Sequence, residues 1–149
     1  MERIVITESP EETMELAMDL AHRLRDGDVV ALVGELGTGK TVFVKGLARG
    51  FFIPEEILSP SFLLAKSYRG EKVLHHLDLY RVRKEEELQE VGLLALLPPE
   101  EGVTAVEWAD RFPHLIPKEA FWVHIEHVSE TRRKITIRRR GLPPLRPLG

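Results

Sequence analysis

Gly34-Glu35-Leu36-Gly37-Thr38-Gly39-Lys40-Thr41 decides the fold of this chain. The octapeptide fits Gly-x-x-x-x-Gly-Lys-[Ser/Thr], the pattern of a phosphate-binding P-loop. Before it, Val29-Val30-Ala31-Leu32-Val33 is a short, β-branched apolar run that reads as a buried parallel strand. After it, Val42-Phe43-Val44-Lys45-Gly46-Leu47-Ala48-Arg49 can continue as a helix. A phosphate cradle needs this succession of strand, glycine-rich turn and helix start. Successive backbone N–H groups converge on the anion, and the positive end of the helix adds a favourable field. Lys40 would reach the β- and γ-phosphates, and the Thr41 hydroxyl would ligate Mg²⁺. The alternative is a glycine-rich turn that carries a lysine by chance, and four matched positions with both flanks weigh against it.

Outward from the loop, Arg3-Ile4-Val5-Ile6-Thr7 reads as a first strand. Ser9-Pro10-Glu11-Glu12 is a capping box with proline at the first helical position. Met14, Ala17, Met18, Ala21 and Leu24 then recur at helical spacing, which predicts an amphipathic helix over residues 10–25, ended by Gly27. Residues 50–61 form a loop with Pro54 and Pro60. Residues 62–68 and 73–77 flank Arg69-Gly70-Glu71-Lys72 and read as a β-hairpin. Residues 84–91 are expected as a charged helix stopped near Gly92, and a short apolar helix precedes Pro98-Pro99. Val103-Thr104-Ala105-Val106 is another buried strand, and residues 121–127 and 134–139 are a closing pair around a turn near Ser129-Glu130. The expected architecture is a single-domain α/β sandwich of P-loop NTPase type. Its mixed sheet has a parallel core and an antiparallel edge, with helices on both faces. Residues 1–140 form that domain, and residues 141–149 are a proline-rich tail.

At 149 residues the chain suits one domain with one substantial core. Hydrophobic residues at 43% and charged residues at 30% are ordinary globular composition. The longest uncharged apolar run, residues 91–99, is about half of a membrane span. Met1-Glu2-Arg3-Ile4 lacks a signal-peptide layout, so the cytoplasm is the expected compartment. Without cysteine there is no disulfide frame, thiolate nucleophile or cysteine zinc site. The chain has no Asn, one Gln (Gln89) and ten Pro, a composition that points to a thermophilic source. Residues 1–130 carry net −10, whereas residues 131–149 carry +7 and no acid. That basic end reads either as a contact for RNA or an acidic partner, or as a solvated edge strand kept soluble by its charges.

A P-loop needs a further acid to hold Mg²⁺ or its waters, and a group to place the attacking water. Two carboxylates follow apolar strands: Asp78, after Val73-Leu74-His75-His76-Leu77, and Glu107, after Val103-Thr104-Ala105-Val106. His75 and His76 face opposite ways in a strand, as do His124 and His127, so no zinc site is expected.

Ser59-Pro60-Ser61-Phe62, then His76-Leu77-Asp78-Leu79-Tyr80-Arg81, then Glu107-Trp108 complete an ordered set with the P-loop. That set resembles the TsaE (YjeE) family over nearly the whole domain, to about Arg133. The family is the small bacterial ATPase needed for the threonylcarbamoyl modification of adenosine beside the tRNA anticodon. The resemblance implies that Glu35, Leu36, Gly37, Thr38, Gly39, Lys40 and Thr41 bind the ATP phosphates. It implies that Thr41 and Glu107 coordinate Mg²⁺, and that Asp78 orients or deprotonates the attacking water. Residues 59–62 would sense the nucleotide, and Trp108 would lie beside the active site, although Tyr80 and Trp108 read equally as core aromatics. Arg132 takes the place of an arginine near the nucleotide, with Arg133 adjacent in an open register. Ser61 stands where the family has threonine, which keeps the hydroxyl and loses a methyl.

The implied function is a regulatory ATPase that resets the modifying complex. Its implied partners are a TsaD-like transferase and a TsaB-like companion, and contact with tRNA is left open. Hydrolysis by the isolated protein should be slow, because no arginine stands out from the sequence as a finger. A small-molecule kinase is the second reading; the Glu-rich Lys84-Glu85-Glu86-Glu87 is a poor phosphate-clamping lid. A binding module in which ATP only holds a shape is the third, disfavoured by the pair Asp78 and Glu107.

Overall fold

The apolar run Val29–Val33 forms strand β2 and is buried at every position, as a strand covered on both faces must be. The computed structural model describes residues 2–60 and 64–139. The other strands are β1 (Glu2–Thr7), β3 (Ala65–Arg69), β4 (Val73–Asp78), β5 (Val103–Glu107), β6 (Phe121–His127) and β7 (Arg133–Arg139). Among the described residues the α-helices are α1 (Pro10–Ala21), α2 (Lys40–Gly50) and α3 (Glu85–Glu90). All strands join one sheet in the order β1-β7-β6-β2-β5-β4-β3. The parallel core comprises β6, β2, β5 and β4. Antiparallel pairs border it on both sides, β3 against β4 at one end and β7 with β6 and β1 at the other.

Serine and proline start α1 as the pattern predicts. Ser9 accepts a hydrogen bond from the Glu12 N–H at 3.2 Å, and Pro10 occupies the first turn. The helix stops at Ala21, earlier than expected, where Arg23 and Leu24 switch to tighter bonds onto Leu20 and Ala21. Leu24 is nonetheless buried, so its place in the apolar stripe holds.

Helices α1 and α2 pack on one face of the sheet, over Val30, Leu32, Val123 and Ile125. Their approach is close because glycines of α2 meet alanines of α1. A Cβ at Gly46 would lie 2.5 Å from Ala17 Cβ, and one at Gly50 would lie 2.4 Å from Ala21 Cβ. Gly46→Ala is therefore expected to destabilise the fold by about 2 kcal/mol in chemical denaturation, because overpacking outweighs the helix-propensity gain. Equal or higher stability would show that the two helices do not meet there as described.

The other face is covered more thinly. It carries α3 and 3-10 turns at Leu93–Leu96, Ala109–Arg111 and Pro113–Leu115, packed over Val29, Ala31, Leu77 and Val106. The apolar segment before Pro98 is one such turn rather than an α-helix, since the two prolines that follow offer no N–H to extend it. The hairpin strand begins at Ala65; residues 62 and 63 of the expected strand lie outside the described residues, as do residue 140 and the expected tail of residues 141–149.

The basic segment is not an edge strand. β7 is paired on both sides, Ile135 and Ile137 are buried, and the sheet edges are β1 and β3. Two of its arginines face acids: Arg138 pairs with Glu2, and Arg139 lies 3.5 Å from Asp28. Among the described residues no helix is long and apolar enough to cross a membrane.

Candidate active site

Three neighbouring parallel strands deliver the site. β2, β5 and β4 run in the same direction, so their carboxyl ends open on one crevice, as sites in α/β sheets do. Register fixes the spacing: Glu107 stands beside Leu32 on one side and Asp78 on the other.

The loop after β2 turns through Gly37 and Gly39, the latter at φ 108°, a left-handed conformation that favours glycine. Gly34 has another constraint, because a Cβ there would sit 2.5 Å from the Ile125 carbonyl oxygen. α2 then starts at Lys40 with its first N–H groups directed at the loop. Lys40 is only 4% exposed. Its ammonium donates to the carbonyls of Gly34 at 2.7 Å and Glu35 at 2.8 Å, and stands 4.1 Å from the Trp108 ring centroid. Burial holds its pKa below the usual lysine value, opposed by the negative charges of Glu107, Asp110 and Asp78.

The Thr41 hydroxyl lies 3.0 and 2.9 Å from the two carboxylate oxygens of Glu107. Glu107 also accepts from His76 Nε2 at 2.6 Å. Asp78, 7% exposed, accepts from the Tyr80 N–H at 2.9 Å and from Ser59 Oγ at 3.3 Å. Burial raises its pKa above the ordinary carboxylate value, and the nearby charge of Glu107 adds to the rise. The Tyr80 and Ser59 bonds and His76 work in the opposite direction. Trp108 turns the chain at φ 59° and stacks on Tyr80, ring centroids 4.8 Å apart.

These groups line a cleft of about 380 Å³ that takes in Leu36, Gly37, Gly39, Lys40, Thr41, Asp78 and Glu107. Glu35 and Thr38 border a smaller hollow of about 150 Å³ beside His124 and His127. Both aromatics line the cleft; Tyr80 is 44% exposed, whereas Trp108 also packs against the apolar cluster under that face of the sheet. Arg81, quoted in the motif but given no role there, also lines the cleft. Of the proposed sensing loop, Ser59 touches Asp78, whereas Ser61 and Phe62 lie outside the described residues.

The structure separates the two adjacent arginines. Arg132 turns to Glu8, at 2.8 Å, and stays on the exposed surface. Arg133 instead bonds the Thr38 carbonyl of the P-loop at 3.0 Å. Arg133 is the first residue of β7, and neighbours at a strand start point to opposite sides. Sequence reasoning also gave His76 no role, although it opens the motif quoted above. Its signal was available: with i, i+2 spacing in a strand, His76 shares a face with Asp78.

The donor set fits Mg²⁺. A hydroxyl and a carboxylate within 3.0 Å of each other are hard oxygen ligands beside the phosphate cradle. No group of three or more His, Cys, Asp or Glu side chains among the described residues is placed to hold a metal.

Comparison with known proteins converges on one family. Residues 7–135 match the family model described as "Threonylcarbamoyl adenosine biosynthesis protein TsaE". Similar relatives are the tRNA threonylcarbamoyladenosine biosynthesis proteins TsaE of Treponema pallidum and Bacillus subtilis. The first is 34% identical over 89% of this chain and 97% of its own. The second is 38% identical over 87% of this chain and 81% of its own. The crystal structure of Bacillus subtilis YdiB superposes with a TM-score of 0.77 at 32% identity, covering 95% of this chain and 87% of that one.

Proposed function

Because the chain belongs to the TsaE family, acting in tRNA threonylcarbamoyladenosine biosynthesis, we propose that it does so as a Mg²⁺-dependent ATPase. The observation that carries this reading is the convergence of Lys40, Thr41, Glu107 and Asp78 on one cleft at the mouth of a P-loop. The loop amides and Lys40 bind and orient the triphosphate. Thr41 and Glu107 hold the cation, which when bound supplies positive charge to the phosphate oxygens. Asp78 accepts the proton of a water that attacks the γ-phosphorus, and ADP leaves. A raised pKa makes Asp78 a better proton acceptor than an ordinary carboxylate.

Such a site hydrolyses ATP without touching the adenosine of tRNA. The protein therefore acts as the resetting partner of a TsaD-like transferase and its TsaB-like companion, in the cytoplasm, and not as the transferase. Its cleft is open to solvent in the isolated chain, which suits slow turnover that rises when the partners cover it. Hydrolysis measured with and without those two proteins tests the proposal. Stimulation supports it, and no turnover under either condition sinks it in favour of a binding module.

Glu107→Gln separates the metal from the water-activating group. The variant is expected to lose most of the gain that Mg²⁺ adds to binding of a non-hydrolysable ATP analogue, by about 10-fold or more, since a ligand to the cation loses its charge. Calorimetric titration with and without chelator reads it out. A full Mg²⁺ response in the variant would remove Glu107 from the metal site.

A further inference from the structure

His76 is wholly buried in β4, a strand flanked by β3 and β5. An aliphatic residue would fill that place without a polar cost. The imidazole instead leaves Nδ1 buried with no partner among the described residues, which is unfavourable. One contact accounts for its presence: Nε2 lies 2.6 Å from Oε2 of Glu107, a residue 31 positions further along the chain. A carboxylate only accepts, so Nε2 carries the hydrogen.

From this geometry we propose that His76 is the positioning residue for Glu107, fixing the carboxylate so that its remaining lone pairs face Thr41 and the cation. The inference rests on the reading of Glu107 as the Mg²⁺ ligand. A glutamate has three rotatable side-chain bonds, and a carboxylate at a strand end would otherwise sample several rotamers. His76 engages one oxygen from below, while the Thr41 hydroxyl meets both oxygens from α2. Held between them, Glu107 is oriented before any ligand arrives. Metal-binding carboxylates are commonly oriented by such a hydrogen bond, and its loss typically costs 10- to 100-fold in metal affinity, roughly. The alternation of β4 adds a second link, because the strand that carries His76 ends two residues later at Asp78. One rigid strand thus sets both the carboxylate of the cation and the carboxylate of the water.

The test compares substitutions at His76 by the Mg²⁺ dependence of ATP-analogue binding, titrated calorimetrically from chelator to millimolar Mg²⁺. His76→Phe keeps a ring of similar size and removes the N–H. It is expected to weaken apparent Mg²⁺ affinity about 10-fold or more, while analogue affinity in chelator stays within about twofold. His76→Gln can place its amide nitrogen where Nε2 stood, and is expected to restore the Mg²⁺ response to within about threefold of the parent. His76→Asn carries its amide nearer the Nδ1 position and is expected to behave like His76→Phe, so it decides the same point should the phenylalanine variant not fold. A parental Mg²⁺ response in His76→Phe or His76→Asn overturns the proposal, as does a loss in His76→Gln as large as theirs. Absence of any Mg²⁺ response in the parent protein overturns the reading of the metal site instead.

Discussion

Lys40→Ala is expected to lower affinity for a non-hydrolysable ATP analogue by about 100-fold or more, the size of two charge-assisted hydrogen bonds lost together. In the ligand-free protein the ammonium is already drawn into the loop by the Gly34 and Glu35 carbonyls and over the Trp108 ring. It therefore reaches the phosphates with little ordering left to do, and its contribution to binding is little reduced by entropy. Burial disfavours its charge in the empty site, so an arriving polyanion relieves a penalty that alanine never carries. The backbone amides and helix end remain in the variant, which is why some binding to the loop survives. Calorimetry decides the matter: affinity within a few-fold of the parent would mean that the octapeptide does not work as a P-loop.

Asp78→Asn is expected to reduce turnover by about 10²- to 10⁴-fold, the usual contribution of general-base help, while analogue affinity stays within a few-fold. The amide keeps the local bonds, since its oxygen can accept from the Tyr80 N–H and its nitrogen can donate to Ser59 Oγ. What it loses is the capacity to take a proton. The same substitution should raise the melting temperature of the ligand-free protein at neutral pH. The pKa of Asp78 is raised in the fold, so its charged form is the disfavoured one there, and ionisation costs stability at every pH above the folded value. As pH falls through that raised value towards the ordinary aspartate value of 3.8 the cost disappears, and the advantage of the variant with it. Normal turnover, or a melting temperature unchanged at neutral pH, would each contradict this account of Asp78.

The parts of the site legible in the sequence are those encoded within a few residues. The P-loop, its strand and its helix are local, and α2 begins at the motif's own lysine. Asp78 and Glu107 were legible as carboxylates at the ends of apolar runs, although only strand order shows that they stand side by side. Alternation placed His76 on the face of Asp78, but its contact with Glu107 was not legible, because the two lie 31 residues apart. The choice between Arg132 and Arg133 turned on a single residue at the start of β7, and one residue exchanges the two sides of a strand. The basic segment misled for a similar reason: composition shows charge, but not that β1 returns to pair with β7 and supply Glu2.

The register of β4 against β5 also bears on how such a chain can vary over time. Asp78 and Glu107 are direct neighbours across two parallel strands, so the distance between them is counted out in residues. Replacing a side chain along either strand alters packing and leaves that count intact. Deleting or inserting one residue within 73–78 or 103–107 shifts every following side chain to the opposite face and moves a carboxylate away from its counterpart. Lineages descended from this sequence can thus drift by substitution at the positions of the two strands other than His76, Asp78 and Glu107, while gains and losses of length fall in the connections, the β6–β7 turn near Ser129 among them.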